Sequence, residues 1–314
     1  MTSKFELPIH FRDWNTSTTR SINKTRKPAA QKPLWKRPVF IGVAVAVVII
    51  LILVIAIPLA VLLPKKGKNH NASVLLPLYI YPDDNSTWAP LYESLVARPS
   101  LQFTVIVNPA SGPGSSQYPD ESYTAALTQL STYPNVKKVG YVRTGYASRN
   151  LSDVISEINV FAGWSTLGSA FTMEGIFFDE SPHEYTADAV QFMLEATKNV
   201  KSASGIRGDK LVIRNPGVVP ASQFSDTNTD VNVVFEQSYS EYKTKVSELS
   251  TIQDSRAQHC YMVHSLPSMT SSAFRKYVYE LSRGAKYLFV TTNDDHYYES
   301  FASDWSEFAT AIPT

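Results

Sequence analysis

From Val39 to Leu63 the chain runs through 25 residues without one charged side chain. At about 1.5 Å of rise per residue this is about 37 Å of helix, enough to cross a hydrocarbon core of about 30 Å with some tilt. The run is longer than the apolar core of a secretory leader and begins behind 38 residues of polar tail, so an uncleaved single transmembrane helix is expected. The chain then divides into residues 1–38, 39–63, a linker at 64–73 and a globular part at 74–314. The tail carries nine basic residues against Glu6 and Asp13, whereas the far flank has only Lys65, Lys66 and Lys68. That asymmetry keeps the tail cytoplasmic and sends the C-terminal domain to the extracellular or lumenal side. The tail is too poor in apolar residues to bury a core, so it is expected to be disordered.

Three Asn-X-Ser/Thr triplets on the far side, at Asn71, Asn85 and Asn150, are then candidates for glycosylation, while those at Asn15 and Asn23 stay unmodified. Cys260 is the only cysteine. No intramolecular disulfide can form, and the domain must rest on an ordinary hydrophobic core. The basic residues concentrate in the tail and membrane flank, leaving the globular part acidic, so no nucleic-acid partner is expected.

Beyond Val74, short β-branched or aromatic runs alternate with stretches of helical apolar spacing. The runs fall at 74–81, 103–108, 138–143, 173–180, 211–215, 231–239, 259–265 and 286–292. Each is nearly continuous in apolar residues, as a strand buried on both faces should be. Helices are expected at 87–97, 122–131, 148–161, 186–200, 241–252, 271–283 and 298–311, with a short one near Ala221. Eight such units predict an α/β chain folded as a (β/α)8 TIM-type barrel. An open doubly wound sheet would carry a glycine-rich first turn, and Tyr81-Pro-Asp-Asp-Asn85 has no glycine.

In a barrel the chemistry lies where strands end. Asp179 and Glu180 close the apolar strand Gly175-Ile-Phe-Phe, and Glu236 closes another two strands on. Carboxylates there lose hydration and their pKa tends to rise, which suits a general acid. Side chains two strands apart are separated by about 5 to 10 Å, a range that spans both retaining and inverting glycosidases. Taken singly, each acid is also explained by a salt bridge to Arg143, Arg214 or Lys210, or by Glu180 capping a helix; the set of three is harder to explain so. Tyr79, Tyr81, Asn108, Tyr141, Arg143, Asn215, Tyr239 and His264 are the candidate substrate-binding side chains at or near strand ends, with Tyr239 and Tyr81 favoured for sugar stacking over Tyr146 and Trp164. The histidines lack metal-ligand spacing, no zinc is expected, and the Gly-X-Ser-X-Gly elbow is missing.

Five motifs, Val107-Asn-Pro-Ala-Ser-Gly-Pro-Gly114, Val139-Gly-Tyr-Val-Arg-Thr-Gly-Tyr146, Gly175-Ile-Phe-Phe-Asp-Glu-Ser-Pro182, Asn215-Pro-Gly217 and Val234-Phe-Glu-Gln-Ser-Tyr239, resemble the spherulation-specific family 4, or spherulin-4-like, proteins. The resemblance runs in order from about Leu75 to Thr292. It implies a (β/α)8 glycoside hydrolase similar to fungal endo-α-1,4-N-acetylgalactosaminidases acting on galactosaminogalactan, with no cofactor. The family's acidic trio falls on Asp179, Glu180 and Glu236, of which Asp179 and Glu236 are expected to be the working pair and Glu180 to orient substrate. If the sugar bears an N-acetyl group, its carbonyl is an alternative nucleophile. The expected protein is a membrane-anchored glycosidase at the cell surface or in the secretory lumen. The alternatives are a carbohydrate-binding wall protein on an inactive barrel and a barrel presenting a surface to a protein partner.

Overall fold

The computed structural model describes residues 42, 45–50 and 70–314. The chain forms two compact units, Met1–Gly67 and Lys68–Thr314. Of the first, only Gly42 and residues 45–50 are described, and they are helical. The expected tail, most of the expected membrane span and most of the linker therefore lie outside the described residues. Among the described residues no helix is long and apolar enough to cross a membrane.

The second unit is a closed barrel of eight parallel strands in sequence order. They are β1 Ser73–Leu78, β2 Phe103–Val107, β3 Val136–Arg143, β4 Gly175–Asp179, β5 Leu211–Arg214, β6 Val231–Ser238, β7 His259–His264 and β8 Tyr287–Val290. The apolar runs become strands because each is covered twice, by barrel interior on one face and by the surrounding helices and crossover segments on the other. The barrel closes where Ser73 and Val74 pair with Tyr287 and Leu288. The domain starts slightly before the expected boundary, since Ala72 is buried and its amide donates to the Pro313 carbonyl at 2.8 Å.

Seven α-helices surround the barrel among the described residues: α1 Ala89–Ala97, α2 Glu121–Leu130, α3 Leu151–Gly163, α4 Ala187–Ser202, α5 Tyr239–Leu249, α6 Ser271–Gly284 and α7 Trp305–Ala311. Their inward residues repeat at helical spacing. In α6, Phe274, Val278 and Leu281 are buried, and the Thr270 hydroxyl caps the helix by accepting from the Ala273 amide. Arg98 ties the last helix down by donating to the carbonyls of Ala309, Thr310 and Ile312 at 2.7, 2.6 and 2.9 Å.

Two helical expectations change. The crossover between β5 and β6 holds only a 3-10 turn, Ser222–Phe224, with the Arg214 guanidinium packed 5.0 Å from the Phe224 ring. The last helix starts at Trp305, not near Tyr298, because Tyr298 is drawn to the barrel mouth.

Gly175 opens β4 beside Leu211 of β5. A Cβ there would lie 2.0 Å from the Leu211 carbonyl oxygen, and that atom is backbone. Gly175→Ala is expected to force the two strands apart at a cost of about 1–3 kcal/mol, read as a lower urea midpoint with unchanged slope.

Candidate active site

The strand order places the sequence-derived acids on one arc of the C-terminal face. Asp179 ends β4, Asn215 follows β5 and Glu236 lies near the end of β6. With Tyr146, Glu180, Gly217, Gln237, His264 and Tyr297 they line a cleft of about 260 Å³.

Glu236 reaches this cleft through an irregularity in its strand. Val233 pairs with Cys260 but Phe235 with Tyr261, so Val234 is an extra residue in β6. Side chains alternate along a strand, and one inserted residue reverses the face of everything after it. Phe235 accordingly points outward, its ring 5.4 Å from Tyr242 of α5, and Glu236 points into the barrel opposite Met262. Were Val234 an ordinary ladder residue instead of a bulge, strict alternation from Val233 would turn Glu236 toward the helices.

One amide joins the two central acids. Asn215 Nδ2 donates to Asp179 Oδ1 at 2.8 Å and to Glu236 Oε2 at 2.6 Å. Those carboxylate oxygens are thus within about 5.4 Å of each other, the sum of the two bonds. The amide cannot be flipped, since Asn215 Oδ1 accepts from the Gly217 amide at 3.1 Å. The Asn215 backbone is also held by β4, its N–H donating to Phe178 and its carbonyl accepting from Ser181.

The remaining carboxylate oxygens are served by tyrosines. Tyr141 donates to Asp179 Oδ2 at 2.6 Å, and Tyr298 donates to Glu236 Oε1. Tyr79 lies edge-on between them, 5.5 Å from each ring centroid. Burial pushes the Glu236 carboxyl above the usual 4.5; the bonds from Tyr298 and Asn215 pull it down, and the charge of Asp179 pushes it up again. Burial raises the Tyr298 and Tyr79 phenols well above their usual values, so they remain donors.

Glu180 stands apart from this pair. It sits in left-handed backbone at φ 49°, and its carboxylate meets Arg143 at 3.4 Å on the rim. The salt-bridge explanation thus fits Glu180, while Arg214 faces Asp226 at 3.7 Å and Lys210 Nζ donates to the Lys201 carbonyl, both away from the cleft. His264 lines the cleft with its ring stacked 4.2 Å from Tyr297, and burial lowers its pKa.

Three sequence-derived candidates lie elsewhere. Asn108 shapes its own loop, Oδ1 accepting from the Gly112 amide at 3.0 Å. Tyr239 is the first residue of α5, packed edge-on against Tyr277 and under Lys243. Tyr81 is on the rim and donates to Asp120 Oδ2 at 3.1 Å. Conversely, Tyr297 and Tyr298 escaped the sequence reading, which placed Tyr298 in a helix and left Tyr297 just before it. Among the described residues no group of three or more His, Cys, Asp or Glu side chains has the arrangement of a metal site.

Residues 73–312 match the family described as Spherulation-specific family 4. The chain belongs to that family. It is similar to Spherulin-4 of Physarum polycephalum, 30% identical over 203 residues, which cover 63% of this chain and 56% of that protein. The match thus spans little more than half of that curated relative. Among solved structures, Sph3 of Aspergillus clavatus, crystallised in complex with GalNAc, superposes with a TM-score of 0.74 at 38% identity, covering 78% of this chain and 98% of the other. All five motifs read from the sequence lie inside the matched span.

The electrostatics predict a titration. A carboxyl whose folded pKa lies above its unfolded one stabilises the fold fully below the unfolded value, and loses that contribution as pH rises through the folded value. Glu236 is expected to titrate above 4.5 by carboxyl ¹³C NMR. Tyr298→Phe removes a bond that favours the anion and should move this titration further up, whereas a downward move would contradict the assignment.

Proposed function

We propose that this spherulin-4 family member is a glycoside hydrolase, an endo-α-1,4-N-acetylgalactosaminidase acting on galactosaminogalactan-like polysaccharide. The observation that carries the reading is the Asn215 bridge, which holds two carboxyls at the spacing used for displacement at a sugar carbon. Similarity to Sph3, a protein crystallised with GalNAc, supports the choice of sugar.

Glu236 is the general acid. Its carboxyl is raised by burial, and when protonated it keeps acceptor capacity for Asn215 and Tyr298 while turning its O–H toward the leaving glycosidic oxygen. Asp179, oriented by Tyr141 and Asn215, is the nucleophile. Its oxygen attacks the anomeric carbon as the C–O bond breaks and the Glu236 proton passes to the leaving oxygen. Glu236 then takes a proton from water, whose oxygen displaces Asp179 and regenerates the carboxylate. Two carboxylate oxygens within about 5.4 Å of each other favour retention, for which carboxyls lie about 5–5.5 Å apart, over inversion, where they lie about 6.5–9.5 Å apart with a water between them. The acetamido carbonyl is not a competing nucleophile at an α linkage, because the C2 nitrogen and the leaving oxygen lie on the same side of the ring and attack must come from the other. Glu180 and Arg143, on the rim, orient substrate hydroxyl or amide groups.

The full chain incubated with α-1,4-N-acetylgalactosamine polymer should release oligosaccharides whose new reducing ends appear first as the α anomer. Glu236→Gln should lose about 10²–10⁴-fold in rate, and Asp179→Asn should be inactive. Release at parental rates by both variants would sink the mechanism.

The same proposal includes an anchor at Val39 to Leu63, with residues 1–38 cytoplasmic and the barrel on the extracellular or lumenal side. Support comes from the charge asymmetry and from Asn71, Asn85 and Asn150, all exposed on the barrel unit. Expressed with microsomes, the chain should stay in the membrane after alkaline extraction. It should also carry endoglycosidase-sensitive sugar at these three positions, lost in the Asn→Gln variants. Release by alkali, or sugar at Asn15 or Asn23, would overturn the topology.

A further inference from the structure

Left-handed backbone is uncommon for residues with a side chain and costs free energy, so a cluster of such residues calls for a reason. Among the described residues, six of the seven non-glycine positions with left-handed φ, namely Ser111, Tyr146, Ala147, Glu180, Ser265 and His296, lie in loops that follow strands on the cleft face. Two of these loops present an aromatic ring that the mechanism does not use.

The first is Tyr146. Gly145, Tyr146 and Ala147 have successive φ values of 60, 53 and 66°. The run is fastened to β4: Thr144 donates from its amide to the Asp179 carbonyl at 2.9 Å and from its hydroxyl to the Glu180 carbonyl at 2.7 Å, and the Tyr146 amide donates to Glu180 at 2.6 Å. So fixed, Tyr146 remains 59% exposed, a large aromatic left in water at the wall of the acid cleft. The other rim tyrosines with partners, Tyr81 and Tyr118, have hydroxyls paired with Asp120 and Thr166. The second ring is Tyr297, which follows left-handed His296 and lies flat against His264, with an interplanar angle of 2°. In strand order the acids of β4 and β6 fall between the β3 loop bearing Tyr146 and the β8 loop bearing Tyr297.

We propose that Tyr146 and Tyr297 are two sugar-stacking platforms, at opposite ends of the arc that carries Asp179 and Glu236, and that they select an internal stretch of galacto-configured chain. In galacto sugars the axial O4 leaves the hydrogens of C3, C4 and C5 together on one face. That apolar patch matches a phenol ring, whereas an equatorial O4 gives no such continuous patch. Platforms on both sides engage sugars flanking the cleaved linkage, so affinity grows with chain length. The inference rests on the proposed hydrolase reading for the identity of the ligand.

The test uses the detergent-solubilised full chain carrying Glu236→Gln, with calorimetric binding of an α-1,4-N-acetylgalactosamine pentamer. Tyr146→Ala should weaken binding about tenfold and Tyr146→Phe leave it within about twofold, since the ring and not the hydroxyl is the platform. Tyr297→Leu should weaken it similarly, and the double variant about a hundredfold. Near-ultraviolet dichroism and the melting temperature check that the barrel is intact; Tyr146, being exposed, is the decisive position. If the parent binds the pentamer and Tyr146→Ala binds within twofold of it, the platform is overturned and the hydrolase reading stands. If the parent does not bind the pentamer, both fall.

Discussion

Two carboxyls facing one another at the mouth of an apolar barrel repel, and each loses hydration. The Asn215 amide resolves both problems at once: its two hydrogens satisfy one oxygen of each acid, and the same nitrogen sets their separation. The other oxygens are taken by Tyr141 and Tyr298. Because Gly217 fixes the amide oxygen and β4 fixes the Asn215 backbone, the spacing belongs to the scaffold and not to a mobile side chain. Burial then separates the partners in character, raising Glu236 while the nearby Asp179 charge adds to the effect.

The local departures from regular structure converge on this arrangement. The bulge at Val234 keeps Glu236 in register with Met262 on the inward face, and left-handed Glu180 ends the turn out of β4. Such irregularities are tolerable because a closed barrel has no edge strands, and its interior is filled by side chains such as Leu75, Ile106, Phe177 and Met262 that are almost wholly removed from water. The strain sits at the strand ends, and the continuous core beneath offsets it.

Much of the barrel was legible in the sequence because parallel strands buried on both faces leave unbroken apolar runs, and all eight were found near their observed limits. The acids were legible for the complementary reason: a carboxylate ending such a run needs a justification. Which of the paired carboxyls is raised was not, because that depends on the burial of Glu236 behind the Val234 bulge and on one amide, and neither leaves a periodic trace. Tyr298 was misread since Phe301, Trp305, Phe308 and Ile312 continue its helical spacing; the phenol's bond to Glu236 outweighs that local preference. Asn108 and Tyr239 show the opposite error, for a polar residue closing a strand serves equally well as a turn former or as the first residue of a helix. Most of the 39–63 run lies outside the described residues, so its reading as a membrane span rests on the sequence and the charge flanking it alone.

The missing fifth helix follows from the same bridge. For Asn215 to reach both acids, the chain leaving β5 must turn at once: Gly217 adopts φ 68° and returns its carbonyl to the Glu236 amide at 2.9 Å. A helix starting directly at the strand end would carry Asn215 away from β6. The crossover instead lies across the outside of β5 with only the Ser222–Phe224 turn, leaving the adjacent Arg214 facing outward without a helix to cover it. Its guanidinium fills that space, donating to the Phe224 carbonyl at 2.9 Å, packing on the Phe224 ring and facing Asp226. Alternation along β5 thus links the two neighbours: Asn215 turns inward to set the acids, and Arg214 turns outward to replace the helix given up for that geometry.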